Sequence, residues 1–147
     1  MRIVEERGEE VTLESPPPLQ DTRQWNGFLV CIENEKGTTR SGTDVDGNEW
    51  ESKLYADYGY FEGVMGSDGD YLDVYMGEDP SADEVHIIKQ IIPETGEFDE
   101  YKVLVDFPSQ HEALETYLKC YDRYDHVDGM TSMSVEKFIR KLEGAVA

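Results

Sequence analysis

Positive charge is scarce in this chain. Over 147 residues, 13 lysines and arginines stand against 33 aspartates and glutamates, a formal net charge of −20. Such a surface repels nucleic-acid phosphates and anionic membranes within a Debye length, so no direct nucleic-acid or membrane partner is expected. Three uses of the charge stay open: gathering divalent cations, imitating a phosphate backbone to occupy a nucleic-acid-binding protein, and plain solubility. Cysteine is scarce too. Cys31 and Cys120 stand far apart with no Cys-x-x-Cys or Cys/His spacing, which argues against a thiolate zinc site or a disulfide framework and for buried free thiols. No apolar run approaches the roughly 20 residues that span a bilayer, and the first residues are acidic where a signal peptide would be basic. A cytoplasmic chain is the expectation.

What is present suffices for a core. The hydrophobic fraction of 38% includes nine tyrosines, too much apolar surface for a disordered chain and enough phenols to give the core polar handles. Residues 1–24 carry Glu5-Glu6, Glu9-Glu10 and then Pro16-Pro17-Pro18, which reads as an acidic arm or linker with a stiff spacer. Residues 25–147 form the expected domain. Phe28-Leu29-Val30-Cys31-Ile32 suits a buried strand, and Asp46-Gly47-Asn48 marks a hairpin turn with Glu49 to Leu54 returning. Further strands are predicted over 58–61, 71–76, 85–92 and 100–105. After Pro108 the period lengthens: Ser109 with Glu112 opens a helix whose apolar face runs from Ala113 to Tyr121, and a second helix begins at Ser134 and ends by Gly144. Strands first and helices last predict an α+β fold, a twisted antiparallel sheet or small barrel with one or two C-terminal helices against it.

The densest chemistry lies in Asp68-Gly69-Asp70-Tyr71-Leu72-Asp73-Val74. Three carboxylates within six residues repel one another unless a cation neutralises them, and hard divalent cations with oxygen ligands suit that need, magnesium with substrate phosphate above all. A solvated acidic loop is the rival reading at this point. An EF-hand is excluded, because its closing glutamate at the twelfth position would fall on Asp79. Side chains alternate along a strand, so Asp70 and Asp73 need a twist or bulge to converge. Phosphate would also need donors: Lys36 and Arg40 flank a flexible Gly37-Thr38-Thr39 loop, and Lys102 follows Asp99 and Glu100. Arg40 can make paired hydrogen bonds to phosphate, where Lys102 acts as a point charge.

In this order the motifs resemble the soluble inorganic pyrophosphatase family. Its Tyr-Gly-Tyr followed by Asp-Gly-Asp-Pro-x-Asp-Val is similar to Tyr58-Gly59-Tyr60 and Asp68 to Val74; its Ile-Glu-x-Pro-Lys-Gly-Ser stretch resembles Ile32 to Thr38; its second acidic segment, ending in a lysine, resembles Thr95 to Val103. The resemblance covers about 28–105 and is nearest to the compact domain of phages and mobile elements. It implies a small five-stranded, OB-like barrel with flanking helices and magnesium-dependent hydrolysis of pyrophosphate or a related phosphoanhydride, other divalent cations being allowed. By the same resemblance, Asp68, Asp70, Asp73, Glu33, Asp99 and Glu100 would hold metal, Asp70 would also take the proton of the attacking water, and Tyr58 would position substrate. Arg40, Lys102, Lys36 and Tyr121 would bind phosphate. Departures are Tyr71 in place of the signature proline, Ile92 in place of an aspartate, and Asp122 in place of a lysine, with Lys53 a substitute for a missing arginine. This thinner basic side keeps an alternative in view: a catalytically weak domain acting as an acidic inhibitor of a basic host protein, or as a phage assembly component. A homo-oligomer and the host bacterial cytosol complete the expectations.

Overall fold

In the computed structural model, the chain is described over residues 21–44, 46–66, 69–121 and 123–146. Most of the expected acidic arm, together with Asp68 and Asp122, lies outside the described residues. Nine strands and two helices follow in order: β1 (Asp21–Trp25), β2 (Phe28–Asn34), β3 (Thr39–Thr43), β4 (Glu49–Lys53), β5 (Asp57–Met65), β6 (Tyr71–Met76), β7 (Glu84–Ile91), β8 (Phe98–Val105), α1 (Gln110–Lys119), β9 (Val127–Ser134) and α2 (Val135–Gly144). The mostly-sheet α+β order with two C-terminal helices is as expected. Seven strands pair in the order β1-β2-β5-β6-β8-β7-β9, and β3 pairs with β4 as a separate hairpin. The central five, β2, β5, β6, β8 and β7, fall on expected strands; β1 and β9 extend them, and no ladder joins those two ends among the described residues.

Neither end strand was legible beforehand. β1 uses Asp21 to Gln24, polar residues that pair with Leu29 to Ile32 of β2. β9 carries its apolar residues Val127, Met130 and Met133 three apart, a spacing that suggests no strand by alternation. The helices begin where their caps predict. Ser109 Oγ accepts the Glu112 backbone N–H at 3.1 Å, and Ser134 Oγ accepts that of Lys137 at 3.1 Å, each satisfying a donor the first helical turn leaves open.

Strand alternation divides the interior in two. Val74 and Met76 of β6 join Val103 and Val105 of β8 in one buried cluster, with Trp25, Phe61 and the α2 residues Phe138 and Leu142. Their neighbours Tyr75 and Leu104 turn the other way, into a second cluster with Tyr58, Ile88 and the α1 residues Ala113 and Tyr117. Between the two clusters the strands β2 and β5 approach so closely that a Cβ on Gly59 would stand 1.8 Å from the Cys31 carbonyl oxygen. Only glycine fits there, which explains the residue between Tyr58 and Tyr60.

Candidate active site

Two registers assemble the site. β5 and β6 pair antiparallel with Tyr58 opposite Tyr75 and Tyr60 opposite Asp73. β6 and β8 are parallel, with Val74 beside Val103, so the preceding residues Asp73 and Lys102 are neighbours on the face that bears Tyr75. The side chains meet: Lys102 Nζ donates to Asp73 Oδ2 at 2.7 Å and to the Tyr58 hydroxyl at 2.7 Å. Tyr58 in turn donates its O–H to the same Asp73 oxygen at 2.9 Å. Glu100, two residues before Lys102 on the same side of β8, brings Oε2 to 3.3 Å from the ammonium.

This triangle is buried, and its charges are set by one another. Burial works against the Lys102 charge, but Asp73, Tyr58 and Glu100 outweigh it and hold the ammonium well above ordinary lysine in pKa. Burial and then Asp73 push the Tyr58 phenol upward, only partly offset by Lys102 and Arg40, so it remains a neutral donor. Burial also raises Glu100 against the pull of Lys102. Arg40 closes the group from the β3–β4 hairpin. Its guanidinium carbon lies 4.7 Å from the Tyr58 ring centroid and 5.6 Å from that of Trp50.

A second polar group continues behind the first. The Tyr75 and Tyr121 hydroxyls are 2.6 Å apart, and Tyr121 packs on Tyr117 and His126 with ring centroids 4.8 and 4.7 Å away. The Tyr117 hydroxyl, which accepts from the Gln90 side-chain amide, lies 2.9 Å from His126 Nε2. Tyr75 was discoverable in the sequence, since it stands two residues after Asp73 and must share its face. Trp50, Gln90, Tyr117 and His126 were not, because other elements bring them in.

The remaining expected residues are spread more widely. Asp70 sits at the entrance of β6, where its Oδ1 accepts the Tyr71 N–H at 2.9 Å. Beside it, Gly66 N–H donates to the Asp70 carbonyl at 2.6 Å, and Gly69 adopts φ +85°. Tyr71, standing where the family signature has proline, stacks on Tyr60 with centroids 4.9 Å apart. Glu33 lies at the irregularity between Ile32 and Asn34 of β2, and Asp99 is exposed on β8. Lys36 pairs with Glu78 at 3.1 Å, on the rim of a neighbouring cleft of about 350 Å³. Lys53 lies over Tyr55.

Among the described residues no three carboxylate, histidine or cysteine side chains converge closely enough to hold an ion. The donor chemistry nevertheless fits a hard cation. Asp73 and Glu100 meet at the Lys102 ammonium, and both offer oxygen atoms to an ion. Two carboxylates, an ammonium, a guanidinium and a phenol in contact make a class of site in which anionic and cationic groups stand side by side.

The comparisons give that class a family. The model of the inorganic pyrophosphatase family matches residues 19–143, and the chain belongs to this family. A solved inorganic pyrophosphatase from Helicobacter pylori is 22% identical, over 79% of this chain and 89% of that one, with a TM-score of 0.47. None of the curated proteins compared matches the chain.

Proposed function

We propose that the chain hydrolyses inorganic pyrophosphate, or a closely related phosphoanhydride, with magnesium held by Asp73, Glu100, Asp70, Asp68, Glu33 and Asp99. The observation that carries this reading is the buried Asp73–Lys102–Tyr58 triangle with Arg40 above it. It places fixed positive charge and a neutral phenolic donor against carboxylates, as an anionic substrate delivered with a divalent cation requires. The bound metal would lower the pKa of the attacking water and neutralise charge developing on the phosphate oxygens.

The chain's own residues do the rest. Lys102 carries a permanent charge that cannot drift away from the phosphate, because Asp73 and Tyr58 hold its Nζ from two sides. Arg40 offers its fork of N–H groups to a phosphoryl group, and its seat on the Tyr58 ring limits the directions it explores. Asp70, at the mouth of β6, accepts the proton of the attacking water. Tyr121, held by Tyr75, supplies a hydroxyl to the leaving phosphate. Nothing among the described residues favours the alternative of an acidic inhibitor. Phosphate release from pyrophosphate and magnesium by purified protein is the test. Wild type should turn over, Asp70→Asn should lose about 100-fold or more, and release no faster than in that variant would refute the proposal.

A further inference from the structure

Arg40 rides on a hairpin that is not part of the main sheet. A long cation on such an element loses most of its freedom when it grips an anion, and that ordering cost weakens binding unless the cation is held in place beforehand. The hairpin contains a device for holding it. Gly42 and Trp50 are direct cross-strand partners, and Arg40 lies two residues before Gly42, on the same face of β3. The indole rests on the bare backbone of Gly42: a Cβ there would meet Trp50 Cζ2 at 2.7 Å and Cε2 at 2.9 Å. Seated in this way, Trp50 brings its ring centroid within 5.6 Å of the Arg40 guanidinium, which lies 4.7 Å from that of Tyr58.

We infer that Trp50, docked on Gly42, is a positioning residue that holds the Arg40 guanidinium against Tyr58 before substrate arrives. This rests on the pyrophosphatase reading of the site only for its kinetic consequence. Trp50 is 41% exposed and touches no part of the proposed reaction, so its removal costs little core packing. The hairpin's backbone bonds, including Gly37 N–H to the Leu54 carbonyl at 2.7 Å and Leu54 N–H to the Thr38 carbonyl at 2.8 Å, do not involve its side chain. Gly42 supplies an independent lever, because its backbone lies outside the left-handed region and the atoms nearest a Cβ there all belong to the indole.

The test joins spectroscopy to kinetics. In wild type the Arg40 Nε–H resonance, identified by its loss in Arg40→Lys, should be displaced by the currents of the two rings. Trp50→Ala and Gly42→Ala should both move it towards the free-arginine position, and Trp50→Phe should keep most of the displacement. With pyrophosphate and magnesium, the first two variants should raise KM about five- to thirtyfold with kcat changed about threefold at most, and Trp50→Phe should restore KM. A resonance that stays in place in Trp50→Ala overturns the inference, and so does a KM equal to wild type in both Trp50→Ala and Gly42→Ala. Absence of turnover in wild type would overturn the pyrophosphatase reading alone, because the resonance decides the positioning without any reaction.

Discussion

The two sides of one sheet have been put to different uses. One buries Val74, Val103, Phe61 and Phe138, with the Trp25 indole N–H, donated to Asp106 Oδ1, as a polar contact. The other is built from Tyr58, Tyr75 and Tyr117 around a buried ammonium and carboxylate. Adjacent residues on a single strand take part in both, as Val103 and Lys102 do. The difference teaches that stability and chemistry are separated here by strand parity rather than by domain. The dry side gains from each apolar group it removes from water. The wet side carries the cost of the polar groups it buries, which Tyr58, Tyr75 and Tyr117 meet with hydrogen bonds while staying neutral.

That division can be broken at several points, beginning with the joint between the two sides. Gly59→Ala would drive a methyl group into the Cys31 carbonyl, and a loss of more than about 4 kcal/mol, or no soluble protein, is expected in denaturant titration. On the dry side, Phe138→Ala should cost about 3–5 kcal/mol, while phosphate release per folded molecule stays within about twofold of wild type. On the wet side, Lys102→Met leaves Asp73 and Glu100 facing each other without their ammonium. A similar loss of about 3–5 kcal/mol is expected there, but with turnover down by about 100-fold or more. If both variants lost turnover equally, parity would not separate the roles.

A subtler probe is His86, fully buried with its Nδ1 2.6 Å from Ser132 Oγ and its Nε2 unpartnered. Burial lowers its pKa below the ordinary value of 6.5, with Glu84 opposing in part. The unfolded chain therefore binds a proton that the folded chain refuses, and this contribution to stability is present above about pH 6.5 and falls away below it. Denaturation midpoints measured from pH 8 down to pH 5.5 should drop, and the drop should be smaller in His86→Gln. Equal slopes would assign the effect elsewhere.

The legibility of the sequence follows the same physical divide. Strands β2, β5, β6, β7 and β8 could be read from their apolar runs, and α1 and α2 from serine caps that the structure reproduces. β1 and β9 could not be read, because their edge positions are held by pairing with neighbours and demand little of their own side chains. At the site, Asp73, Lys102 and Tyr58 were named from motifs and do meet, whereas the stack of Trp50 on Gly42 left no local signal.

By itself, then, the sequence determined the family, the acidic segment before β6, and the alternation that sends Asp73 and Lys102 to one face. These depend on neighbours along the chain, where periodicity and turn chemistry act. Only the tertiary structure decided that a parallel register would set Lys102 beside Asp73, that Tyr58 would bridge them, and that a detached hairpin would lay Arg40 over the group. Those contacts join residues 15 to 44 positions apart, and pairing across such distances is settled by the packing of the whole sheet.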